Sequence, residues 1–397
     1  MMSVWSSLVG QGDAVAKLSE AAASARAIVA SRAGSAARED ARSMSHAWLI
    51  TGPPGSGRSV AARAFAAALQ CTGEEVGCGT CPGCRTTMGR TNADVLFAAT
   101  ETSIINVETA RSLVLQAQSS PSQGLWRVIV VEDADRLGEA GANALLKAIE
   151  EPPEHTVWLL CAPSPEDMIA TIRSRCRHLG LRIPTANAVA DLLVREGVAT
   201  PEVALEAARA AQSHIGLARA LAADPEMRAR RRAIVTAPVS VRSVGEAVLA
   251  ADRLLETAKA QADAQVSERN AREKAELLRQ LGMEEDERAT KASRTLIRQL
   301  EEDQKRRSKR ALTDAIDRAL IDLLAIYRDV LMTQVGGDGE LINADLADLV
   351  RSIAAESTPR QTLSRVDHIE TARRRLKSNG NTLLVLEDMA ISLRPQA

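Results

Sequence analysis

A chain of 397 residues, 45% hydrophobic and 25% charged with a net charge of −1, has room for about two to three globular domains. That charge excludes the large basic excess of a free-standing nucleic-acid binder, and the absence of any apolar run of about 18 residues argues against a membrane span, so no membrane is expected among its partners. With aromatic residues at only 2%, the core has to be built from Ala, Leu, Val and Ile.

The opening "MMSVWSSLVGQGDAV" has no charged leader followed by an apolar block, so no signal peptide is read and a cytoplasmic location is expected. Thiols stay reduced there, and the six cysteines are read as metal ligands or packed thiols before disulfides. A helix is predicted around 12–33, then an Arg/Ser/Ala-rich loop to about 45. Strand-like apolar runs follow at 46–51 ("HAWLIT"), 94–99 ("DVLFAA"), 126–132 ("WRVIVVE") and 156–162 ("TVWLLCA"). Helical patterns lie between them at 58–70, 107–118 and 138–151. This alternation predicts an α/β module with a mostly parallel sheet covered on both faces.

From about 184 the strands stop. Residues 184–235 read as a small helical domain and 236–397 as an all-helical one. Within the latter, about 256–312 is densely charged with both signs. It is predicted to form two long solvated helices packed as a hairpin, broken near Gly282.

The stretch "GPPGSGRSV" sits between a strand and a helix, as a phosphate-binding loop must. Gly52, Gly55 and Gly57 make the turn, whose N–H groups and helix N-terminus would face phosphate oxygens. Ser59 stands where a magnesium-ligating hydroxyl is needed. Three departures follow. Arg58 replaces the lysine, and its longer planar head fits that space differently. The next strand ends Glu132-Asp133, where an ATPase of this type ends Asp-Glu. Each carboxylate is displaced by about one methylene, a misplacement that can cost about a hundredfold in rate. Ala162 and Pro163 occupy the place after "TVWLLC" where a polar residue should touch the γ-phosphate. Together these argue against hydrolysis by this chain and leave binding of ATP or ADP open.

Cys71, Cys78, Cys81 and Cys84 are spaced C-x6-C-x2-C-x2-C, which suits one tetrahedral zinc. Four thiolates leave no position open for water, so the zinc is expected to be structural. Cys161 and Cys176 stand apart and read as packed thiols.

In "SPEDMIATIRSRCRH" a helix is predicted to start at Ser164-Pro165, with Arg173, Arg175 and Arg177 towards its end. Helix-dipole stabilisation accounts for any of the three. A sharper alternative is that Ser174-Arg175-Cys176 projects Arg175 outward. A guanidinium delivered in trans to a neighbour's γ-phosphate raises hydrolysis by roughly a thousandfold or more.

"NALLKAIEEPP" (143–153), "SRC", the four-cysteine insertion and "LVGQ" together resemble the AAA+ clamp-loader family over about residues 5–185. "RTNADVLFAA" and "VEDADRL" look more like its non-hydrolysing delta-prime branch than its gamma/tau ATPases. The resemblance implies an AAA+ P-loop module (1–183) with a zinc insertion (71–84), a helical lid (184–235) and an all-α collar (236–397). It implies a stator in a five-subunit ring with gamma/tau and delta subunits, acting on the sliding clamp and primed DNA. It casts Arg175 as the arginine finger for the adjacent gamma/tau site, and places Arg219 at the family's second sensor position. The alternative is an active gamma/tau-type ATPase. The helix at 138–151 is expected to bury Ala142, Leu145, Leu146 and Ile149, leaving Asn143, Lys147 and Glu151 for the next subunit.

Overall fold

The computed structural model describes residues 3–32, 43–98, 105–241, 243–281, 291–378 and 380–394. Gly282, Ala99 and most of the Arg/Ser/Ala-rich loop lie outside them. The chain divides into two compact units, one ending at Arg219 and the other beginning at Ala220.

The first unit runs α1 (Gly12–Arg32), β1 (Ala47–Thr51), α2 (Arg58–Leu69), α3 (Pro82–Met88), β2 (Val95–Ala98), α4 (Val107–Ala117), β3 (Arg127–Val131), α5 (Glu139–Glu150), β4 (Thr156–Ala162), α6 (Ala170–Arg173), β5 (Arg177–Gly180), α7 (Ala186–Arg195) and α8 (Pro201–Ala210), with α9 (Ile215–Ala223) at its end. All strands are parallel, in the order β2-β3-β4-β1-β5. Strands β1 and β4 are buried along their whole lengths. Their alternate side chains feed two cores. Trp48, Ile50, Leu159 and Cys161 face one, and Leu49, Trp158 and Leu160 face the other.

The scarcity of aromatics shows in α2, where Ala61, Ala62, Ala64, Ala66, Ala67 and Ala68 are buried around Phe65. Small side chains let this helix lie close on the sheet, and Phe65 meets Trp48 edge-to-face with centroids 5.2 Å apart.

Two differences from the sequence reading concern one segment. The helix expected from Ser164 is a 3-10 turn (Pro165–Asp167) followed by the four-residue α6. Arg177 is no helix end but the first residue of a fifth strand, paired with Trp48 of β1. Only Leu179 of "RHLG" is buried, so this edge strand carries little apolar signal.

Asp94 anchors the loop that enters β3. Its buried carboxylate accepts from the N–H groups of Ser122, Gln123 and Gly124 at 2.6–2.7 Å and from the Ser122 hydroxyl at 3.0 Å. Burial pushes its pKa up, but these four donors outweigh it and hold the group below its usual range. The resulting stabilisation is present above the unfolded value of about 4 and is lost as pH falls through the lower folded value. Asp94→Ala is expected to cost about 3 kcal/mol, since it orphans several buried donors. A lower urea midpoint checks this; an unchanged midpoint contradicts it.

The second unit is helical: α10 (Pro225–Ser240), α11 (Val244–Gln280), α12 (Lys291–Gln334), α13 (Ala347–Glu356), α14 (Pro359–Lys377) and α15 (Thr382–Ser392). Leu320, Leu323, Ile326, Val330, Val350, Ile369 and Leu386 form its core. Helices α11 and α12 make the expected hairpin. Ala262, Val266 and Ala311 pack between them. Further out, Arg307 donates to Asn270 at 2.7 Å and to Glu273 at 2.8 Å, a polar layer that fixes the register. Among the described residues, no helix is long and apolar enough to cross a membrane.

Candidate functional site

Strand β1 delivers the chain to the glycine-rich turn, and α2 leaves it. Gly57, at φ +90°, is the N-cap of α2, a conformation that suits glycine. Gly55 also sits at φ +90°, and a Cβ there would lie 2.8 Å from the Cα of His214. The turn between α8 and α9 is thus pressed against the loop. His214 Nδ1 accepts from Leu217 N–H at 3.2 Å and caps α9. Gln11, in "LVGQ", ties the loop from the other side. Its amide donates to the carbonyls of Ser56 (3.2 Å) and Arg182 (2.6 Å), and accepts from Arg182 N–H.

The loop keeps its shape while its charged groups are engaged with the protein itself. Arg58 Nη1 donates to the carbonyl of Gly52 at 2.6 Å, across the turn it should serve. Glu132, directly after β3, pairs with Arg90 at 2.6 Å, and its side chain is only 13% exposed. The Arg90 guanidinium also stacks over Phe97, 5.0 Å from the ring centre. Burial raises the pKa of Asp135, with Asp133 adding to the rise and Arg58 opposing it. Pro163 offers Gly52 N–H a backbone carbonyl at 3.1 Å. The Ser164 hydroxyl contacts Glu166 and caps the 3-10 turn. Ser59, in the first turn of α2, is half-buried.

Arg219 makes a bidentate pair with Glu196, with N–O distances of 2.7–3.0 Å. The structure places Gly52, Gly55, Gly57 and Arg58 on one turn, Glu132 and Asp133 directly after β3, and Arg219 on a partner in α7's C-terminal cap. Sequence reasoning did not single out Arg90, His214 or Gln11 as contributors. Arg90 opens the quoted "RTNADVLFAA" and Gln11 closes "LVGQ", so both lay inside recognised segments; His214 carried no signal of its own.

The four cysteines converge. Their sulfur atoms all lie within 4.8 Å of one another. Cys71 Sγ is 3.7 Å from Cys78 Sγ and 3.9 Å from Cys81 Sγ. Tetrahedral zinc with bonds of about 2.3 Å requires sulfur separations of about 3.8 Å, so the donor set fits. Cys81 N–H points at Cys78 Sγ and Cys84 N–H at Cys81 Sγ, each at 3.4 Å. Burial opposes ionisation of Cys81, yet N–H donors including that of Cys84 bring its pKa down to about 6. Burial pushes Cys84 up. The cluster begins where α2 ends, and Arg26 of α1 clamps it through the carbonyls of Cys71 (3.0 Å) and Glu74 (2.9 Å). Helix α3 then leads to Arg90, so the cysteine insertion sets the residue that engages Glu132. Cys161 and Cys176 are pushed up to about 12 by burial, as packed thiols are.

Arg175 stands between α6 and β5 with its side chain 40% exposed. Its Nε pairs with Glu150 at the end of α5, and Nη1 donates to the carbonyl of Thr171 at 2.8 Å and to the Ser174 hydroxyl at 3.3 Å. On α5, Ala142, Leu145 and Ile149 are buried and Leu146 half-buried, while Asn143 and Lys147 are exposed, as is Glu151 just beyond it.

Two family models match: DNA polymerase III, delta subunit, over residues 35–185, and DNA polymerase III, delta subunit, C terminal, over 287–394. The chain is similar to DNA polymerase III subunit gamma/tau of Mycobacterium bovis, 35% identical over 39% of this chain and 28% of that one. It is also similar to DNA polymerase III subunit delta' of Yersinia pestis, 38% identical over 35% of this chain and 42% of that one. With delta' of Escherichia coli it is 33% identical over 47% of this chain and 57% of that one. The matched region thus spans from about a quarter to somewhat over half of these relatives' own lengths. A parallel P-loop sheet, a four-cysteine insertion, a helical C-terminal unit and two matched models place this chain in the DNA polymerase III clamp-loader family.

Proposed function

We propose that this chain is a non-hydrolysing, delta-prime-type subunit of the clamp loader, working beside gamma/tau ATPases and a delta subunit to set the sliding clamp on primed DNA. The observation that carries this reading is how its nucleotide loop is engaged. Arg58 is bonded to the loop's own carbonyl and Glu132 to Arg90, so the cation and the first acid of the expected machinery have other partners. Arg175, by contrast, is held at the surface with Ser174 beside it, where it can act in trans on a neighbour's ATP. Residues 1–183 serve as the AAA+ module, 184–235 as the lid and 236–397 as the collar for hetero-oligomer assembly. The four cysteines hold a structural zinc. When bound, the metal cross-links the end of α2 to the start of α3 and supplies no reaction chemistry.

A gamma/tau-type ATPase is the second reading. It is favoured by the intact glycine turn, by Ser59 and by the 35% identity to a gamma/tau subunit. Steady-state ATP turnover by the purified chain separates the two. The expected result is no turnover above background, with Glu132→Gln and Arg58→Ala changing nothing. Measurable turnover that Glu132→Gln abolishes would favour the second reading.

A further inference from the structure

Glu150 is an acid at the C-terminal end of α5, where the helix dipole disfavours negative charge. Its carboxylate is compensated by Arg175, which comes from the short turn after α6. Both supports of the pair are anchored. Helix α5 is fixed to the sheet through Leu145 and Ile149, and α6 through Ile172, all fully buried. The guanidinium is divided between its contacts. Glu150 forms an ion pair with Nε, and the Thr171 carbonyl and Ser174 hydroxyl take Nη1. Among the described residues no hydrogen bond occupies Nη2 of Arg175. An arginine presents five N–H donors in a rigid planar fork, so fixing one nitrogen limits where the others can point.

We infer that Glu150 is the positioning residue for Arg175, holding Nε so that the guanidinium fork is aimed at an anionic oxygen, here a phosphate of a nucleoside triphosphate carried by an adjoining subunit. This rests on the trans-acting role given to Arg175 above. The pair is half-exposed and therefore a weak restraint, so Glu150 orients the side chain without competing strongly with phosphate. An orienting partner of a reacting group raises the rate by limiting misaligned geometries, an effect that falls on kcat more than on KM.

The test is ATP turnover of the reassembled clamp loader, stimulated by clamp and primed DNA, with the variants Glu150→Ala, Glu150→Gln and Arg175→Ala, and the double variant. Glu150→Ala is expected to lower kcat about fivefold with the KM for ATP within about twofold. Glu150→Gln, which keeps the side chain's size and an oxygen facing Nε but loses the charge, is expected to recover part of that loss. In the Arg175→Ala background, Glu150→Ala is expected to cost nothing more, because the two act as a unit. Melting curves of each purified chain confirm that the variants fold. Unchanged or increased turnover for Glu150→Ala overturns the inference, and so does a further loss in the double variant. A large Arg175→Ala effect with a silent Glu150→Ala removes only the positioning role. A silent Arg175→Ala removes the trans-acting reading and this inference with it.

Discussion

Arg175→Ala is expected to lower ATP turnover at the adjoining site of the reassembled loader by about a thousandfold, the scale of an arginine delivered in trans. The loss follows from the chemistry a guanidinium supplies. Charge develops on the phosphoryl oxygens in the transition state, and a planar guanidinium meets two of them at once. Arg173 and Arg177 flank the position, but Arg177 is drawn into β5, where it stacks over Trp48 at 4.9 Å. Arg58→Ala in the same assembly is expected to leave turnover within about twofold, because Arg58 is bonded to the Gly52 carbonyl and no longer serves a reaction in this reading. Steady-state turnover of the two reassembled complexes side by side is the check. A large loss with Arg58→Ala and none with Arg175→Ala would reverse the assignment and make the loop a working catalytic site.

Loss of the metal is expected to have the second large effect, on stability. The segment around the four cysteines holds little apolar material besides Cys71, Val76 and Cys84, so a bound metal is expected to contribute much of what holds it together. Zinc binding in small domains is itself folding free energy, on the order of 10 kcal/mol. Here the sheet supports the base of the insertion, and a smaller share is expected to appear. Stripping the metal, or making Cys84→Ser, should lower the melting temperature of the chain by about 10 °C, corresponding to roughly 4 kcal/mol. Metal analysis should give one zinc per chain for the native protein. A metal-free preparation with an unchanged melting temperature would contradict the assignment. Cys78→Ser should cost less than Cys84→Ser, since Cys78 is only half-buried.

The sequence conveyed best what local spacing or long apolar runs determine. Strands β1, β3 and β4 are nearly continuous runs of apolar residues because both their faces are covered, and α2, α4 and α5 start and end within a residue or so of their expected bounds. The cysteine cluster was legible because four thiols within fourteen residues can reach one point whatever the rest of the chain does. Strand β5 was not, because "RHLG" becomes a strand only by pairing with β1, a partner more than a hundred residues earlier. The state of the nucleotide loop was half legible. Residue types announced the departures at Arg58 and Glu132. What engages them did not show, since the Arg90–Glu132 pair joins positions 42 residues apart and the seat of Gly55 against His214 depends on how α8 turns into α9. The same holds for the pairing of Glu150 with Arg175: Arg175 stood out in the sequence, but its partner did not show until the fold set the two side by side.

The central claim is that this chain lends a guanidinium to a neighbouring ATP site. A structure of the assembled loader with a non-hydrolysable ATP analogue tests it most directly. The expected result is an Arg175 nitrogen within about 3 Å of a γ-phosphate oxygen held by the adjoining gamma/tau subunit. An Arg175 side chain turned away from every bound triphosphate, beyond the reach of any rotamer, would contradict the account.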